Sequence, residues 1–198
     1  RIFEVLDVKI EVEDKPDAEP IGETDGSVTF KDVTFGYLPD QPVLKNINFE
    51  IKPGETIALV GPTGSGKTST TALLHRFYDI WEGEIKIGGK DIRDVTQDSL
   101  GETVAMVLQE PFLFTGTVFE NIRYHKITAT PEEVERAAKA VGAHDFIEKL
   151  PEGYNTILGQ RGGQLSIGQR QLISFAPDIV ADAKILVLDE ATANIDSF

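Results

Sequence analysis

The run Gly61-Pro62-Thr63-Gly64-Ser65-Gly66-Lys67-Thr68 has the spacing G-x-x-x-x-G-K-[ST] of a loop that cradles phosphate. Glycines at these positions let backbone N–H groups turn inward around anionic oxygens. The lysine brings a positive charge to terminal phosphates, and the threonine brings a hydroxyl to Mg²⁺. A helix that starts at such a loop aims its positive end at the same anion. A second run, Ile185-Leu186-Val187-Leu188-Asp189-Glu190, is an apolar strand ending in two carboxylates. In a parallel sheet the C-terminal ends of strands line the ligand crevice. Asp189 would then help hold Mg²⁺, and Glu190 would orient or deprotonate an attacking water.

These groups need elements to position them. Residues 56–60 (Thr56-Ile57-Ala58-Leu59-Val60) form a short apolar run that ends at Gly61. This pattern predicts a strand buried on both faces and feeding the loop. Residues 68–78 have helical spacing. Val28 to Phe35 and Asn46 to Ile51 alternate as strands, with a turn at Lys52-Pro53-Gly54-Glu55 between the second and the buried run. Glu84 to Ile87 predicts a strand closed by Gly88-Gly89, and Val104 to Leu108 a further buried one. Thr130 before Pro131, with Glu132 and Glu133 behind it, marks a helix N-terminus whose signals continue to Leu150. A last helix runs from Ser166 to about Ala176. Pro177 lacks an N–H donor, so this helix is expected to end near Ala176 or to kink there.

Bulk composition narrows the class. The chain has 198 residues, 40% hydrophobic and 26% charged, as expected for a folded globular protein. It has no cysteine, which excludes disulfides and thiolate metal sites. Its 33 acidic and 19 basic residues give a net charge of -14, so nucleic acid is not expected as a partner. No apolar run approaches the roughly 20 residues needed to span a bilayer. The polar stretch from Glu11 to Gly26, with Pro16, Pro20 and Gly22, reads as part of a linker over residues 1–27. The chain opens Arg1-Ile2-Phe3-Glu4 without methionine and is expected to be a piece of something longer.

Leu165-Ser166-Ile167-Gly168-Gln169 lies shortly before the Asp189-Glu190 strand. Ser166 and Gln169 make an S-x-x-Q capping box, a second helix N-terminus suited to an anion. The phosphate loop, this pentapeptide and the acidic strand, in that order, resemble the nucleotide-binding domain of ATP-binding cassette (ABC) proteins from about Val28 onward. The resemblance implies an α/β fold of P-loop NTPase (RecA-like) type. It would have a mixed core sheet, an antiparallel β part near Val28–Ile51 and a helical insert over about 111–176. It implies ATP and Mg²⁺ as ligands, with residues 61–68 and Ser69 on the phosphates. It also implies a head-to-tail dimer in which Ser166, Gly168 and Gln169 reach the ATP of a second such domain. Tyr37 resembles the aromatic that stacks on adenine. Gln109 resembles the glutamine that touches Mg²⁺ and water. Asp196 resembles the loop that crosses to the partner. The implied catalytic set is Glu190, Gln109 and Lys67, and the implied metal set is Thr68, Gln109 and Asp189.

Arg1-Ile2-Phe3-Glu4-Val5-Leu6-Asp7 resembles the end of the helix leaving an exporter's transmembrane domain. Phe112-Leu113-Phe114-Thr115-Gly116-Thr117-Val118, followed by Glu120-Asn121-Ile122, is similar to the exporter segment that faces that domain. The resemblance thus implies an ATPase that powers export from the cytoplasmic face of a membrane. Two alternatives stay open: an ATP-gated dimerisation module with little turnover, and a non-transport ABC ATPase. Several positions depart from the family. Ile167 replaces a usual glycine, Gln160 a glutamate, and Pro177-Asp178 an Arg-Ala pair. The family's histidine beyond the acidic strand has no counterpart here, because His75, His125 and His144 all precede that strand; turnover by the chain alone is expected to be impaired.

Overall fold

The computed structural model describes residues 10–107 and 111–188. The expected helix end at Arg1–Leu6, and Gln109, Asp189, Glu190 and Asp196, lie outside the described residues. The chain forms two compact units, Arg1–Thr103 and Val104–Phe198.

The first unit is built on an antiparallel sheet. Strands β1 (Val28–Phe35), β2 (Leu44–Ile51), β3 (Glu82–Ile87) and β4 (Lys90–Asp91) lie in the order β2-β1-β3-β4. Val28, Phe30, Val33, Phe35, Ile85 and Ile87 are buried. The burial in β1 skips a residue, because Asp32 adopts φ 51° and the register to β2 shifts between Phe30 and Val33. Such a bulge turns Lys31 and Asp32 outward and returns Val33 to the core. Gly83 sits against it so closely that a Cβ would lie 2.4 Å from the Lys31 carbonyl oxygen. Gly88 and Gly89, both at positive φ, close the two-residue turn from β3 to β4.

Helix α1 (Lys67–Leu74) follows the phosphate loop and buries Ser69, Thr70, Leu73 and Leu74. It stops four residues short of the expected Tyr78. Arg76 turns left-handed at φ 52°, and its guanidinium is buried among Asp79 Oδ1 at 3.1 Å, Asp14 Oδ1 at 3.3 Å and the Glu13 carbonyl at 2.9 Å. A paired cation at this depth holds the chain in the turn rather than in another helical turn. Helix α2 (Gln97–Thr103) completes the unit. The segment read as a linker is anchored here: Ile21 is buried, its N–H donates to Ser99 Oγ, and Glu19 pairs with Val95.

The buried strand expected at residues 56–60 is not formed among the described residues. The run is irregular, and Val60 is 91% exposed. A strand exists only where a neighbour takes up its N–H and C=O groups, and the antiparallel sheet of this unit does not include residues 56–60.

In the second unit, β5 (Val104–Val107) and β8 (Ile185–Leu188) pair in parallel, Val104 opposite Ile185 and Val107 opposite Leu188. Between them come β6 (Gly116–Thr117), α3 (Val118–Ile122), α4 (Pro131–Ala140), α5 (His144–Ile147), β7 (Ile157–Leu158) and α6 (Ile167–Ala181). Leu113, Val118, Ile122, Val134, Ile147 and Ile173 belong to its core. Val134, Ala137 and Ala138 share one face of α4, and the two alanines allow close packing against α6. Helical signal over residues 131–150 resolves into two helices, because Gly142 turns left-handed at φ 75° after the Val141 cap. Helix α6 runs on to Ala181 with Pro177 inside it, so the expected stop near Ala176 is corrected. Burial of Ile173, Ala176, Pro177 and Val180 on this helix offsets the hydrogen bond that the proline omits.

Candidate functional site

The phosphate loop is held open by its own glycines. Gly64 and Gly66 stand at φ 83° and 91°, where a side chain would be strained. A Cβ on Gly66 would also lie 2.5 Å from Leu44 Cδ2, and one on Gly61 would lie 2.6 Å from Ser65 Oγ. Ser65 N–H closes a turn on the Pro62 carbonyl at 3.1 Å. Pro62, Thr63, Gly64 and Ser65 are exposed along the loop. Gly66 is the N-cap of α1 and supplies no side-chain cap, which leaves the first N–H groups of the helix to an outside acceptor.

Lys67 folds back over the loop. Its Nζ donates to the Gly61 carbonyl at 2.8 Å and to the Pro62 carbonyl at 3.2 Å. Both partners are neutral, and no carboxylate among the described residues pairs with this ammonium, which stands beside a ring of backbone donors. That combination fits a polyanion. Thr68 is exposed in the first helical turn, and its hydroxyl makes no hydrogen bond among the described residues. A free hydroxyl there fits a Mg²⁺ ligand.

Tyr37 is placed by the end of β1. Its hydroxyl lies 2.9 Å from Ser69 Oγ on α1. Its ring meets Phe35 and Tyr78 nearly at right angles, with centroids 5.0 and 5.1 Å away, and half of its surface remains exposed. The first unit thus brings Tyr37, Ser69 and residues 61–68 together. Sequence reasoning missed Tyr78 and Trp81, which border Tyr37 in a cleft of about 500 Å³. The aromatic density just beyond α1 was the available signal.

In the second unit Ser166 is the N-cap of α6. Its Oγ accepts from Gln169 N–H at 3.1 Å, while Gln169 Oε1 accepts from Ser166 N–H at 2.9 Å. The expected capping box is therefore formed, and it commits the Gln169 side-chain oxygen to the backbone. Ile167 takes the first helical position, half exposed, and Gly168 follows. Gly162 packs where a Cβ would lie 2.9 Å from Leu113, at φ 62°. Gln160 opens the short 3-10 turn before it. Strand β8 ends at Leu188, the residue before Asp189.

A model of the family described as "ABC transporter" matches residues 44–193, which contain the phosphate loop, the capped pentapeptide and β8. The chain belongs to the ABC transporter family. It is 51% identical over its whole length to the "Uncharacterized ABC transporter ATP-binding protein YfiC" of Bacillus subtilis, covering 33% of that protein. It is 50% identical over its whole length to the "ATP-dependent lipid A-core flippase" of Desulfotalea psychrophila, covering 34% of that protein. A solved bacterial Atm1-family ABC exporter with ATP bound matches 99% of the chain at 43% identity and a TM-score of 0.93, over 34% of its own chain. The chain therefore spans about a third of the length of these relatives. The fold is that of an ABC nucleotide-binding domain, a P-loop NTPase with an antiparallel β part and a helical part. No helix of this ABC domain is long and apolar enough to cross a membrane among the described residues. No group of three or more His, Asp or Glu that could hold a metal occurs among those residues either.

Proposed function

We propose that this chain binds and hydrolyses ATP as the motor of a membrane exporter. The observation that carries the reading is the phosphate loop, which combines exposed backbone donors, left-handed glycines and, at the start of a helix, a lysine whose partners among the described residues are neutral carbonyls. In this reading residues 61–68 and Ser69 grip the phosphates, and Tyr37 stacks on the base. Thr68, Gln109 and Asp189 would hold Mg²⁺. When bound, that ion neutralises charge on the phosphate oxygens. Lys67 balances charge on the terminal phosphate, and Glu190 accepts a proton from the attacking water as ATP and water become ADP and phosphate.

Ser166, Gly168 and Gln169 would meet the ATP of a second domain, identical or different, in a head-to-tail dimer, with Asp196 near the crossing. The relatives are about three times as long as this chain; in this reading the remainder of the parent chain carries transmembrane domains, with this domain on the cytoplasmic face. Exposed Phe112, Phe114 and Tyr124, the last two stacked at 4.4 Å, suit contact with such domains. Exposed Ile167 at the first position of α6 favours a second reading, an ATP-gated dimerisation module with little turnover. Single-turnover hydrolysis in the full-length parent separates the two readings.

Calorimetric titration of MgATP into this chain tests the binding step. Saturable heat that disappears in Lys67→Ala is expected. Equal heats from both proteins, with both folded by circular dichroism, would overturn the reading.

A further inference from the structure

We propose that a cavity in the second unit receives an arginine side chain from the remainder of the parent chain, and that Asp178 is the carboxylate that meets its guanidinium. The proposal rests on the reading of exposed Phe112, Phe114 and Tyr124 as a contact with the transmembrane part, and adds the chemistry of what docks there.

The cavity holds about 220 Å³. Phe112, Phe114 and Tyr124 line it and remain exposed, whereas Asp178, which also lines it, is 5% exposed. Phe114 and Tyr124 are stacked, and Phe112 stands at 80° to Phe114, so the aromatic surface is formed in advance.

Within the chain Asp178 is poorly provided for. Its Oδ1 is buried and receives no hydrogen bond among the described residues. His125 Nδ1 approaches that oxygen at 3.0 Å but is not aligned to donate. Asn121 and Ser174 also line the cavity, yet both are committed to backbone. The Asn121 amide bonds to Phe114 and Thr117, and Ser174 Oγ donates to the Gln171 carbonyl at 2.8 Å. Asp178 also sits in the last turn of α6, which holds no basic residue. That end of a helix carries negative partial charge, so the carboxylate is disfavoured twice, by burial and by the dipole. The alanine usual in the family at this position would bear neither cost.

One carboxylate and one imidazole do not make a metal site, and no larger ligand group occurs among the described residues. Aromatic faces beside a carboxylate suit a guanidinium. Its plane stacks on rings, its paired N–H groups grip a carboxylate, and it sheds water more easily than an ammonium. The chain spans about a third of its relatives' length, which leaves ample chain outside to supply the arginine. A net charge of -14 favours the approach of a cationic segment.

Two measurements test the proposal. Asp178→Asn keeps the shape and removes the charge. In this chain alone it should raise the melting temperature by about 2–4 °C, because an unpaired buried charge is lost. An equal or lower melting temperature would show that Asp178 is already paired inside the chain, and would overturn the proposal. In the full-length parent, p-benzoylphenylalanine in place of Phe112 is photo-crosslinked and the joined peptide is mapped by mass spectrometry. The peptide is expected to lie outside these 198 residues and to carry an arginine. Asp178→Asn should lower the yield about threefold or more. Changing that arginine to glutamine should lower it as much, with no further loss in the double variant. A joined peptide without arginine, or a yield that Asp178→Asn leaves unchanged, would overturn the proposal and leave the contact surface standing. Crosslinks confined to these 198 residues would overturn the contact reading beneath it as well.

Discussion

Two glycines of the phosphate loop separate strain from crowding. Gly64 and Gly66 have nearly the same left-handed backbone, but a Cβ on Gly64 meets nothing within 4 Å, while one on Gly66 meets buried Leu44. Gly64→Ala should cost only the left-handed penalty, about 1 kcal/mol. Gly66→Ala adds a clash with a core side chain and should cost about 2–3 kcal/mol. Urea unfolding of both variants checks the order, and a Gly64→Ala chain as unstable as Gly66→Ala would contradict it. The loop was legible in sequence for this reason: backbone geometry that only glycine tolerates leaves its mark at fixed spacing. Asp32 and Arg76, also at positive φ, leave no such mark. A side chain there is held by its partners, and sequence did not reveal those partners. Gln109 and Asp196 were legible only through resemblance, whereas Asp189 and Glu190 also followed from an apolar run that ends in two carboxylates; all four lie outside the described residues.

At the scale of elements, three helices begin with reciprocal caps: Thr117 with Glu120, Thr130 with Glu133, and Ser166 with Gln169. Caps are local, so sequence reveals them well, and the two sought at residues 130 and 166 are formed. Strands depend on what lies beside them. Val28 to Phe35 was legible because its alternation survives a bulge, whereas residues 56–60 have the composition of a buried strand and no ladder in their own unit. At the proline in α6 local chemistry left a stop or a kink open, and of these the stop is ruled out, because burial along the helix carries it through to Ala181. The caps also titrate. The Thr117 backbone N–H lowers the Glu120 carboxyl. Lys126 and then the Thr130 backbone N–H lower that of Glu133. Each carboxylate therefore contributes stability above its unfolded pKa, near 4.5. That contribution is lost as pH falls through the lower folded value. The double variant Glu120→Gln, Glu133→Gln should lose part of the drop in melting temperature that the wild-type chain shows between about pH 5 and pH 3. An unchanged slope would show that these caps carry none of the acid sensitivity.

The whole molecule sets a problem for its own ligand. With a net charge of -14 it must attract MgATP, itself an anion, to one lysine in a loop. Coulomb repulsion from the whole surface acts at long range, while the grip of Lys67 and the backbone donors acts over a few ångströms. Salt separates the two, because the Debye length shrinks from about 30 Å at 0.01 M to about 8 Å at 0.15 M. Screening should remove the distant repulsion first and leave the contact terms largely in place. The association rate of MgATP with this chain should therefore rise by about twofold or more across that range, opposite to the fall expected for a basic nucleotide-binding protein. Stopped-flow mixing with a fluorescent ATP analogue at constant free Mg²⁺ measures it. A rate that falls with salt would mean that the local field of the loop reaches further than the summed acidic surface. The approach of nucleotide would then be steered by Lys67 and the α1 N-terminus, not opposed by the rest of the molecule.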